Sequence, residues 1–492
     1  MTNKKIIFLY PSTNNKTEEG EKDNFILGKM SSLELSIAYL SNYLAKKFEG
    51  IEIEYIDLRL EPKSYGIETI LDELSRKKYD YVAITCYSRN YLKVIEISSL
   101  IKKYNDKIKV IVGGFHPTIF PDDFRKFPKL FDYIIRGEGE IPLYNVVAGK
   151  FDNQKKPIII RAPKKTKLNE FSPIDLNIFN KYENKIDFSD IPIYISRGCI
   201  FNCSFCISRR KTCGLKKYRS LELDNILKQL EILKKYNPKR VVITDPLFGV
   251  DKKWFQSVVK MIGRETKDFR VKVEMHVDII NQNKIEHLLA NNIDLTIGFE
   301  SASPSMLYLM NKTNDPARYI ENAKHIIKKY GNSNQELMIN ILLGHPGESR
   351  NTITESFDFL TKNIKTGSVL TKFSLFRLYP GTPVYYYSNF FEFFFKTRFY
   401  LKKWWEHDLD YGIVPSLIDP SANLSIMDEL SFIRLKIQDF IEKSVVYKEN
   451  MPIGYKLFFL KYTNKIRKTY QYLIPKFNNC LKRISSHAEA GI

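Results

Sequence analysis

The sequence predicts an α/β protein in which a doubly wound parallel sheet precedes a partial (β/α)6 barrel and a mostly helical C-terminal region. Three observations support this fold class. Short apolar runs alternate with amphipathic helical patterns over the first 150 residues, the alternation resumes from 190 to about 385, and the last hundred residues lose it. Strands that alternate with helices are typical of parallel sheets covered by helices on their faces.

The N-terminal alternation predicts a series of strands and helices. Strands are expected at 4–11, 51–58, 79–88, 107–114 and 131–140, and helices at 31–47, 66–78 and 91–104. Ser31 or Ser32 is placed to cap the first helix. Ligands of doubly wound sheets bind outside the carboxyl ends of the strands. Here those ends are polar or rich in glycine, at 10–12, 85–88, 113–116 and 136–140.

The second alternation predicts the barrel. Its strands are expected at 191–198, 240–248, 271–278, 295–301, 337–344 and 371–381. They make roughly six βα units, fewer than the eight of a closed barrel. We therefore expect a sheet domain at 1–149, a linker at 150–189, a barrel at 190–388 and a helical domain at 389–492 with a capped helix near 425–443.

Composition and charge are those of an ordinary globular protein. The chain has 492 residues, 43% of them hydrophobic, and a formal charge of +21, which excludes a wholly disordered chain. No apolar run reaches the roughly 18 residues of a membrane span, and the N-terminus lacks the apolar core of a secretory signal, so we expect a cytoplasmic protein. The lysines are dispersed, so we expect no specific nucleic-acid site. The aromatic and basic tail favours at most a peripheral membrane contact.

Four of the six cysteines lie close together, from Cys199 to Cys213. Clustered cysteines in a reducing compartment indicate metal or redox chemistry. Cys199, Cys203 and Cys206 follow a predicted strand with the spacing C-x3-C-x2-C. Three thiolates on one loop can each hold one iron of a [4Fe–4S] cluster and leave the fourth iron open to an external ligand. A zinc site is the alternative, and it needs Cys213 or a histidine as its fourth ligand.

The cysteine motif, with an aromatic residue before its last cysteine, resembles the signature of the radical S-adenosylmethionine superfamily. Strand ends at 243–248, 298–301, 344–349 and 379–383 strengthen the resemblance. The last three are similar to the family motifs GxES, G-x-PGE(T/S) and PGTP. The resemblance implies a [4Fe–4S] cluster on the three cysteines with S-adenosylmethionine beside it. It also implies the residues that contact S-adenosylmethionine, namely Phe205, Asp245, Glu300, Ser301 and Gly344. Arg219 either pairs with the methionine carboxylate or is a solvated surface arginine.

The N-terminal half is similar to the cobalamin-binding domain that precedes the radical domain in one large subgroup of that superfamily. Residues 112–118 and 131–140 carry this similarity. It implies a Rossmann-like domain whose strand ends bind cobalamin through Thr85, Ser88, Gly113, Gly114, Phe115, His116, Gly137 and Glu138. His116 either contacts cobalamin or shapes its loop. The motif Asp-x-His-x-x-Gly does not occur in the chain, which implies cobalamin without a protein histidine on cobalt.

The combined resemblance implies an enzyme. One electron from the cluster cleaves S-adenosylmethionine, and the 5′-deoxyadenosyl radical so formed removes a hydrogen from an unactivated carbon, which then receives a methyl group. Radical cyclisation or rearrangement without methyl transfer stays open. A tRNA-modifying methylthiotransferase is disfavoured, because those enzymes carry three further N-terminal cysteines and the first 150 residues here hold only Cys86. The implied partners are a small-molecule or peptide substrate and an electron donor such as flavodoxin or ferredoxin.

Overall fold

In the computed structural model, the chain forms two six-stranded parallel sheets in succession. The structure describes residues 4–11, 25–26, 29–30, 33–61, 68–163, 166–171, 173–208, 218–345, 347–365, 367–376, 379, 381–385 and 436. Of the helix predicted near 425–443, only Lys436 is among the described residues, and Cys213 lies outside them. No helix in the described part is long and apolar enough to cross a membrane.

The N-terminal sheet confirms the predicted doubly wound topology. Its region contains the strands β1 (Lys5–Tyr10), β2 (Phe25–Ile26), β3 (Lys29–Met30), β4 (Glu52–Asp57), β5 (Tyr81–Thr85), β6 (Lys109–Gly113), β7 (Tyr133–Arg136) and β8 (Ile158–Arg161). The helices are α1 (Leu35–Lys47), α2 (Glu68–Arg76), α3 (Tyr91–Tyr104), α4 (Phe115–Ile119), α5 (Pro121–Arg125) and α6 (Glu140–Val147). Strands β2 and β3 form a small hairpin, and the others form a sheet in the order β4-β1-β5-β6-β7-β8.

The direction of winding reverses between β1 and β5. The chain passes from β1 outward to β4, returns to β5 on the other side of β1, and then proceeds to β8. Ligands of such sheets bind at this switch point. Strand β5 is buried along its whole length and β1 from Ile6 onward, which is why both appear in the sequence as continuous apolar runs. Helix α1 begins at Leu35 with Glu34 at its N-cap position, so the predicted serine cap is wrong.

The segment 150–189, which the sequence suggests as a linker, is folded. Strand β8 lies within it and adds an edge to the N-terminal sheet by pairing with β7. Two 3-10 helices follow, at Leu168–Phe171 and Asn177–Tyr182, and bury apolar side chains in the core that continues into the barrel. Short 3-10 turns give neither a helical nor a strand period, so hydrophobic patterning does not reveal them.

The second sheet is the predicted partial barrel. Its region contains β9 (Asp190–Ile193), β10 (Ser196–Arg197), β11 (Arg219–Ser220), β12 (Arg240–Ile243), β13 (Arg270–His276), β14 (Ile293–Glu300), β15 (Leu337–Leu343) and β16 (Val369–Leu375). The helices are α7 (Leu223–Lys234), α8 (Lys252–Glu265), α9 (Gln282–Ala290), α10 (Pro304–Leu309), α11 (Pro316–Gly331) and α12 (Arg350–Asn363). The sheet order is β9-β12-β13-β14-β15-β16. Strands β10 and β11 pair antiparallel and bring together the two ends of the cysteine loop.

Ion pairs lie at the amino ends of the barrel strands. Arg240 lies 2.6 Å from Asp190, and Arg270 pairs with Asp294. Alternate side chains of a strand point to opposite faces. On β13, for example, Val271, Val273 and Met275 pack in the core, so Lys272 and Glu274 face the lumen.

Candidate functional site

A cavity of about 520 Å³ lies where the carboxyl ends of the two sheets meet. Its N-terminal wall includes predicted site residues at the ends of β5, β6 and β7, which are Thr85, Gly113, Gly114, Phe115, Gly137 and Glu138. Its barrel wall includes Cys206, Thr244, Asp245 and Glu274. One cavity therefore joins the glycine-rich strand ends to the cysteine loop.

The two glycines after β6 serve different purposes. A Cβ on Gly114 would lie 2.7 Å from the carbonyl oxygen of Cys86, and the φ of Gly114 is +109°, so the backbone itself requires glycine there. A Cβ on Gly113 would meet nothing closer than the Cβ of Ile135 at 4.0 Å. Glycine at 113 therefore leaves open space in the cavity wall, as a closely approaching ligand requires.

Ser88 and His116 do not line the cavity. His116 is fully buried, its Nδ1 lies 3.1 Å from the Ser88 hydroxyl and its Nε2 lies 3.4 Å from the Asp123 carboxylate. Burial lowers the pKa of this histidine, although Asp123 opposes the shift. Of the two roles that the sequence leaves open, this geometry favours shaping the loop.

The cysteine loop is anchored through Ser204. Its amide donates to the Met310 carbonyl at 2.8 Å, and its hydroxyl lies 3.2 Å from Nε2 of His345. The Phe201 ring stacks on the His276 imidazole at a centroid distance of 3.6 Å. The segments after β13, β14 and β15 thus each hold the loop in place.

The three thiols of the loop are close enough to influence one another. Burial raises the pKa of each, and neighbouring thiols of the set raise it further. Lys312 opposes these shifts at all three cysteines. Its ammonium is only 6% exposed and lies 3.2 Å from the Glu300 carboxylate, which places one buried cation beside the thiols. Among the described residues, no three cysteine, histidine or acidic side chains converge on a single metal ion.

Asp245, just after β12, connects this strand to the segment before the cysteine loop. Its carboxylate accepts hydrogen bonds from the Ile195 amide at 2.8 Å and from the Ser196 hydroxyl at 2.5 Å. Burial raises the pKa of Asp245 to about 7, against the effect of these hydrogen bonds. The carboxyl group therefore fastens β12 to the strand that leads into the cysteine loop, at the edge of the cavity.

The other residues expected at S-adenosylmethionine lie around the cysteine loop but are not among those that line the cavity. Phe205 meets His345 edge to face. Glu300 has a φ of +70°, a strained conformation for a residue other than glycine, and pairs with Lys312. The Ser301 hydroxyl bonds to Ser356 at 3.1 Å and so points to α12.

Gly344 supports a buried acid. Its amide donates to the Glu348 carboxylate, whose other oxygen has no hydrogen-bond partner in the described structure. Burial raises the pKa of Glu348 to about 8. The strand end at Gly344 is therefore held by a carboxyl group that is mostly protonated at neutral pH.

Ion pairs connect the two walls of the cavity. Arg219, after the cysteine loop, donates to Glu138 at the end of β7, and Arg197, before the loop, donates to Glu140 at 2.6 Å. Arg219 is thus largely buried, with its guanidinium on Glu138, and is not a solvated surface arginine. Both arginines flank the cysteine loop, so these pairs orient that loop toward the N-terminal strand ends.

Sequence reasoning missed several residues of the site. Lys312 and Arg197 lie outside the quoted motifs, and their roles depend on partners distant in the chain. Glu274 lies within a predicted strand, and the alternation of apolar and polar residues from 271 to 276 is a signal that could have found it. A charged residue on the lumen face of a buried strand is uncommon unless it is paired or functional.

Two family models match the chain. A B12 binding domain matches residues 30–147. The radical SAM superfamily matches residues 193–360. The chain is a radical SAM enzyme with a B12-binding domain. The first match covers most of the N-terminal sheet, and the second covers the barrel from the end of β9 through β15, with the cysteine loop but without β16.

Curated relatives and solved structures agree with this assignment. An uncharacterised methyltransferase of Pyrococcus horikoshii is 23% identical over 72% of this chain and 78% of its own length. The bacteriochlorophyllide d C-12(1)-methyltransferase of Chlorobaculum tepidum is 24% identical over 68% of this chain and 70% of its own. The structure of the radical S-adenosylmethionine methyltransferase TsrM from Kitasatospora setae superposes with a TM-score of 0.60 at 16% identity, over 78% of this chain and 75% of that one. This last likeness shows the shared fold.

The two domains confirm the cofactors expected from the sequence, which are cobalamin, a [4Fe–4S] cluster and S-adenosylmethionine. The residues present fit these groups. In the B12-binding domain, Gly113 leaves the open wall that a large planar ligand needs. In the radical SAM domain, three free thiols share one loop beside a buried ammonium, and thiolates are the usual ligands of iron–sulfur clusters.

Proposed function

We propose that this enzyme transfers a methyl group from S-adenosylmethionine to an unactivated carbon of a small-molecule substrate. The observation that carries the proposal is the single cavity that joins the glycine-rich ends of the B12-binding domain to the cysteine loop of the radical SAM domain. The methyl donor and the radical that removes a hydrogen atom must reach the same substrate carbon. A cavity that faces both domains would let them do so.

When bound, the cluster supplies the electron that cleaves S-adenosylmethionine, and cobalamin carries the methyl group. The chain's own residues bind and orient these groups and the substrate, and they exclude water. We assign Cys199, Cys203 and Cys206 as the cluster ligands. Ser204 and His345 keep the loop that bears them in one conformation, which spares the bound state an ordering cost.

S-adenosylmethionine is assigned to the strand ends around this loop. In this proposal Glu300 provides a carboxylate on a strained backbone, and Asp245 fixes the end of β12. Phe205 and Gly344 shape the wall beside the thiols. Ser301 acts through its hydrogen bond to Ser356, which holds the turn after β14.

Cobalamin is assigned to the N-terminal wall of the cavity. Thr85, Phe115, Gly137 and Glu138 line it together with the two glycines after β6. Ser88 and His116 act one layer below, by holding the loop that contains Gly114. We expect cobalamin to bind without a protein histidine on cobalt.

The proposed partners follow from this chemistry. The cluster requires a one-electron donor such as flavodoxin or ferredoxin. Dispersed lysines give only weak, salt-sensitive contacts with nucleic acids, so no specific nucleic-acid partner is proposed. A peripheral membrane contact through residues 389–492 is a separate prediction, testable by liposome binding before and after truncation near 390.

The test is reductive cleavage of S-adenosylmethionine by the anaerobically reconstituted protein. The wild type should bind about four irons per chain and form 5′-deoxyadenosine with dithionite. The triple variant C199A/C203A/C206A should lose both, whereas C86A, which removes a buried thiol outside the loop, should keep its iron. Iron retained by the triple variant, or zinc in the native protein, would refute the assignment.

A further inference from the structure

Most charged side chains that face the barrel lumen are paired. Arg240 pairs with Asp190, Lys272 with Glu336, and Arg270 with Asp294. Nearer the carboxyl ends, Lys312 pairs with Glu300. Such pairing is expected, because a charge removed from water is costly unless an opposite charge and hydrogen bonds replace the solvent.

Glu274 departs from this pattern. It faces the lumen from β13 and lines the central cavity together with Cys206 and Asp245. Its carboxylate makes no hydrogen bond or ion pair with any residue that the structure describes. Its side chain is reached by water from within the cavity although protein surrounds it, and burial followed by the Glu300 charge raises its pKa. A carboxylate so placed is available to a ligand.

Lys372 is the corresponding cation. Its neighbours on β16, Thr371 and Phe373, are buried in the outer layer, so Lys372 faces the lumen, where it is exposed. Within the described part of the chain its ammonium has no carboxylate or carbonyl partner. Lys372 acts on the Glu274 carboxyl through space and lowers its pKa, so the two charges share one region of the barrel without a direct bond.

An amide lies beside this cation. Asn340 on β15 is in register with Lys372 on β16. The Oδ1 atom of Asn340 is buried and has no hydrogen-bond partner among the described residues. A buried amide oxygen without a partner costs roughly 1–3 kcal/mol. Strands β13, β15 and β16 of one sheet thus direct an acid, an amide and a cation, none of them paired among the described residues, toward the same lumen.

We propose that Glu274, Asn340 and Lys372 form a substrate subsite for a zwitterionic small molecule. Its ammonium or other N–H donor meets Glu274 and Asn340, and its carboxylate or other anion meets Lys372. This inference rests on the proposed function, since it places the substrate between the lumen and the cysteine loop. S-adenosylmethionine is itself zwitterionic, so the test must separate the two molecules.

The experiment measures how small molecules stimulate the cleavage of S-adenosylmethionine by the reconstituted holoenzyme. The probes are the cationic, anionic, zwitterionic and neutral pools of a small-molecule cell extract, separated by ion exchange. We expect the zwitterionic pool to stimulate 5′-deoxyadenosine formation in the wild type. In E274Q and K372Q this stimulation should fall at least about tenfold, as expected when one partner of a charged contact is lost, whereas E274D should recover part of it.

Two controls separate the possible failures. The unstimulated cleavage rate and the KM for S-adenosylmethionine are measured in E274Q and K372Q beside the stimulated rate. A wild type without any cleavage would refute the proposed function and not the subsite alone. The subsite would be overturned if the neutral pool stimulated cleavage, if no pool did, or if stimulation in E274Q equalled that in the wild type. A raised KM for S-adenosylmethionine in the variants would assign the three residues to that molecule instead.

Discussion

The Arg219 guanidinium of the radical SAM domain donates to the Glu138 carboxylate of the B12-binding domain. A second interdomain pair, Arg197 with Glu140, lies on the other side of the cysteine loop at 2.6 Å. Both acids follow β7, and both arginines lie on the ribbon of β10 and β11. The loop that carries the thiols is therefore attached to the end of β7 in the B12-binding domain at each of its own ends.

Removing Glu140 from its ion pair with Arg197 should destabilise the fold. The Glu140 side chain is 4% exposed and that of Arg197 is 17% exposed, so Glu140→Ala removes the nearer carboxylate from a largely buried arginine and leaves only Glu138, 3.8 Å away. Loss of a buried ion-pair partner costs up to about 3–5 kcal/mol. Asp72→Ala breaks an exposed pair with Arg76 and should cost less than about 1 kcal/mol. Denaturant unfolding of both variants measures their free energies of unfolding. Equal losses in the two variants would show that the interdomain pair stabilises the fold no more than an exposed pair does.

The two glycines after β6 should respond differently to alanine. Gly114→Ala forces a Cβ against the Cys86 carbonyl at a positive φ, so it should lower the free energy of unfolding by about 2 kcal/mol or more. Gly113→Ala has room and should leave the stability of the cobalamin-free protein within about 0.5 kcal/mol.

Cobalamin binding distinguishes the roles of these glycines further. We expect Gly113→Ala to weaken cobalamin binding about tenfold or more, because its methyl group enters the cavity wall. Visible absorbance titrations with cobalamin measure this. Normal cobalamin affinity in Gly113→Ala would place the cofactor away from that wall.

Glu348 should make stability depend on pH. Burial raises its pKa from 4.5 to about 8, so the unfolded chain ionises this group at a lower pH than the folded protein does. The contribution of Glu348 to the free energy of unfolding is then complete below about pH 4.5 and is lost as the pH rises to about 8. The loss is about 1.4 kcal/mol for each unit by which the pKa values of the folded and unfolded states differ. Glu348→Gln should remove this decline, and Glu355→Gln, at an exposed position of α12, should retain it. Denaturant unfolding at pH 5 and pH 8 decides, and parallel declines in both variants would exclude Glu348 as the cause.

Much of the fold could be predicted from the sequence, because parallel strands buried on both faces appear as continuous apolar runs. Both sheets and the strand ends that line the cavity were found in this way. The turns at Leu168–Phe171 and Asn177–Tyr182 were not, since they lack a period. The domain boundaries predicted from patterning stay predictions. Patterning also did not show that β8 extends the N-terminal sheet into the expected linker.

The electrostatics of the site could not be predicted, because they depend on pairs formed across the fold. The sequence leaves Arg219 open as a partner of the methionine carboxylate or as a surface arginine, and only the folded chain brings it to Glu138. The same holds for Lys312, whose ammonium reaches Glu300 and the thiols. Which lumen charges lack a partner, such as Glu274, likewise follows only from three-dimensional contacts.

We propose methyl transfer through one cavity shared by both domains. To test it, the anaerobically reconstituted enzyme is incubated with methyl-labelled S-adenosylmethionine, a reductant and a small-molecule extract, and the label is followed. We expect a labelled, carbon-methylated product that forms together with 5′-deoxyadenosine and disappears in C199A/C203A/C206A. Cleavage of S-adenosylmethionine without label in any product would indicate radical cyclisation or rearrangement instead, and a labelled product from the triple variant would contradict cluster-dependent methyl transfer.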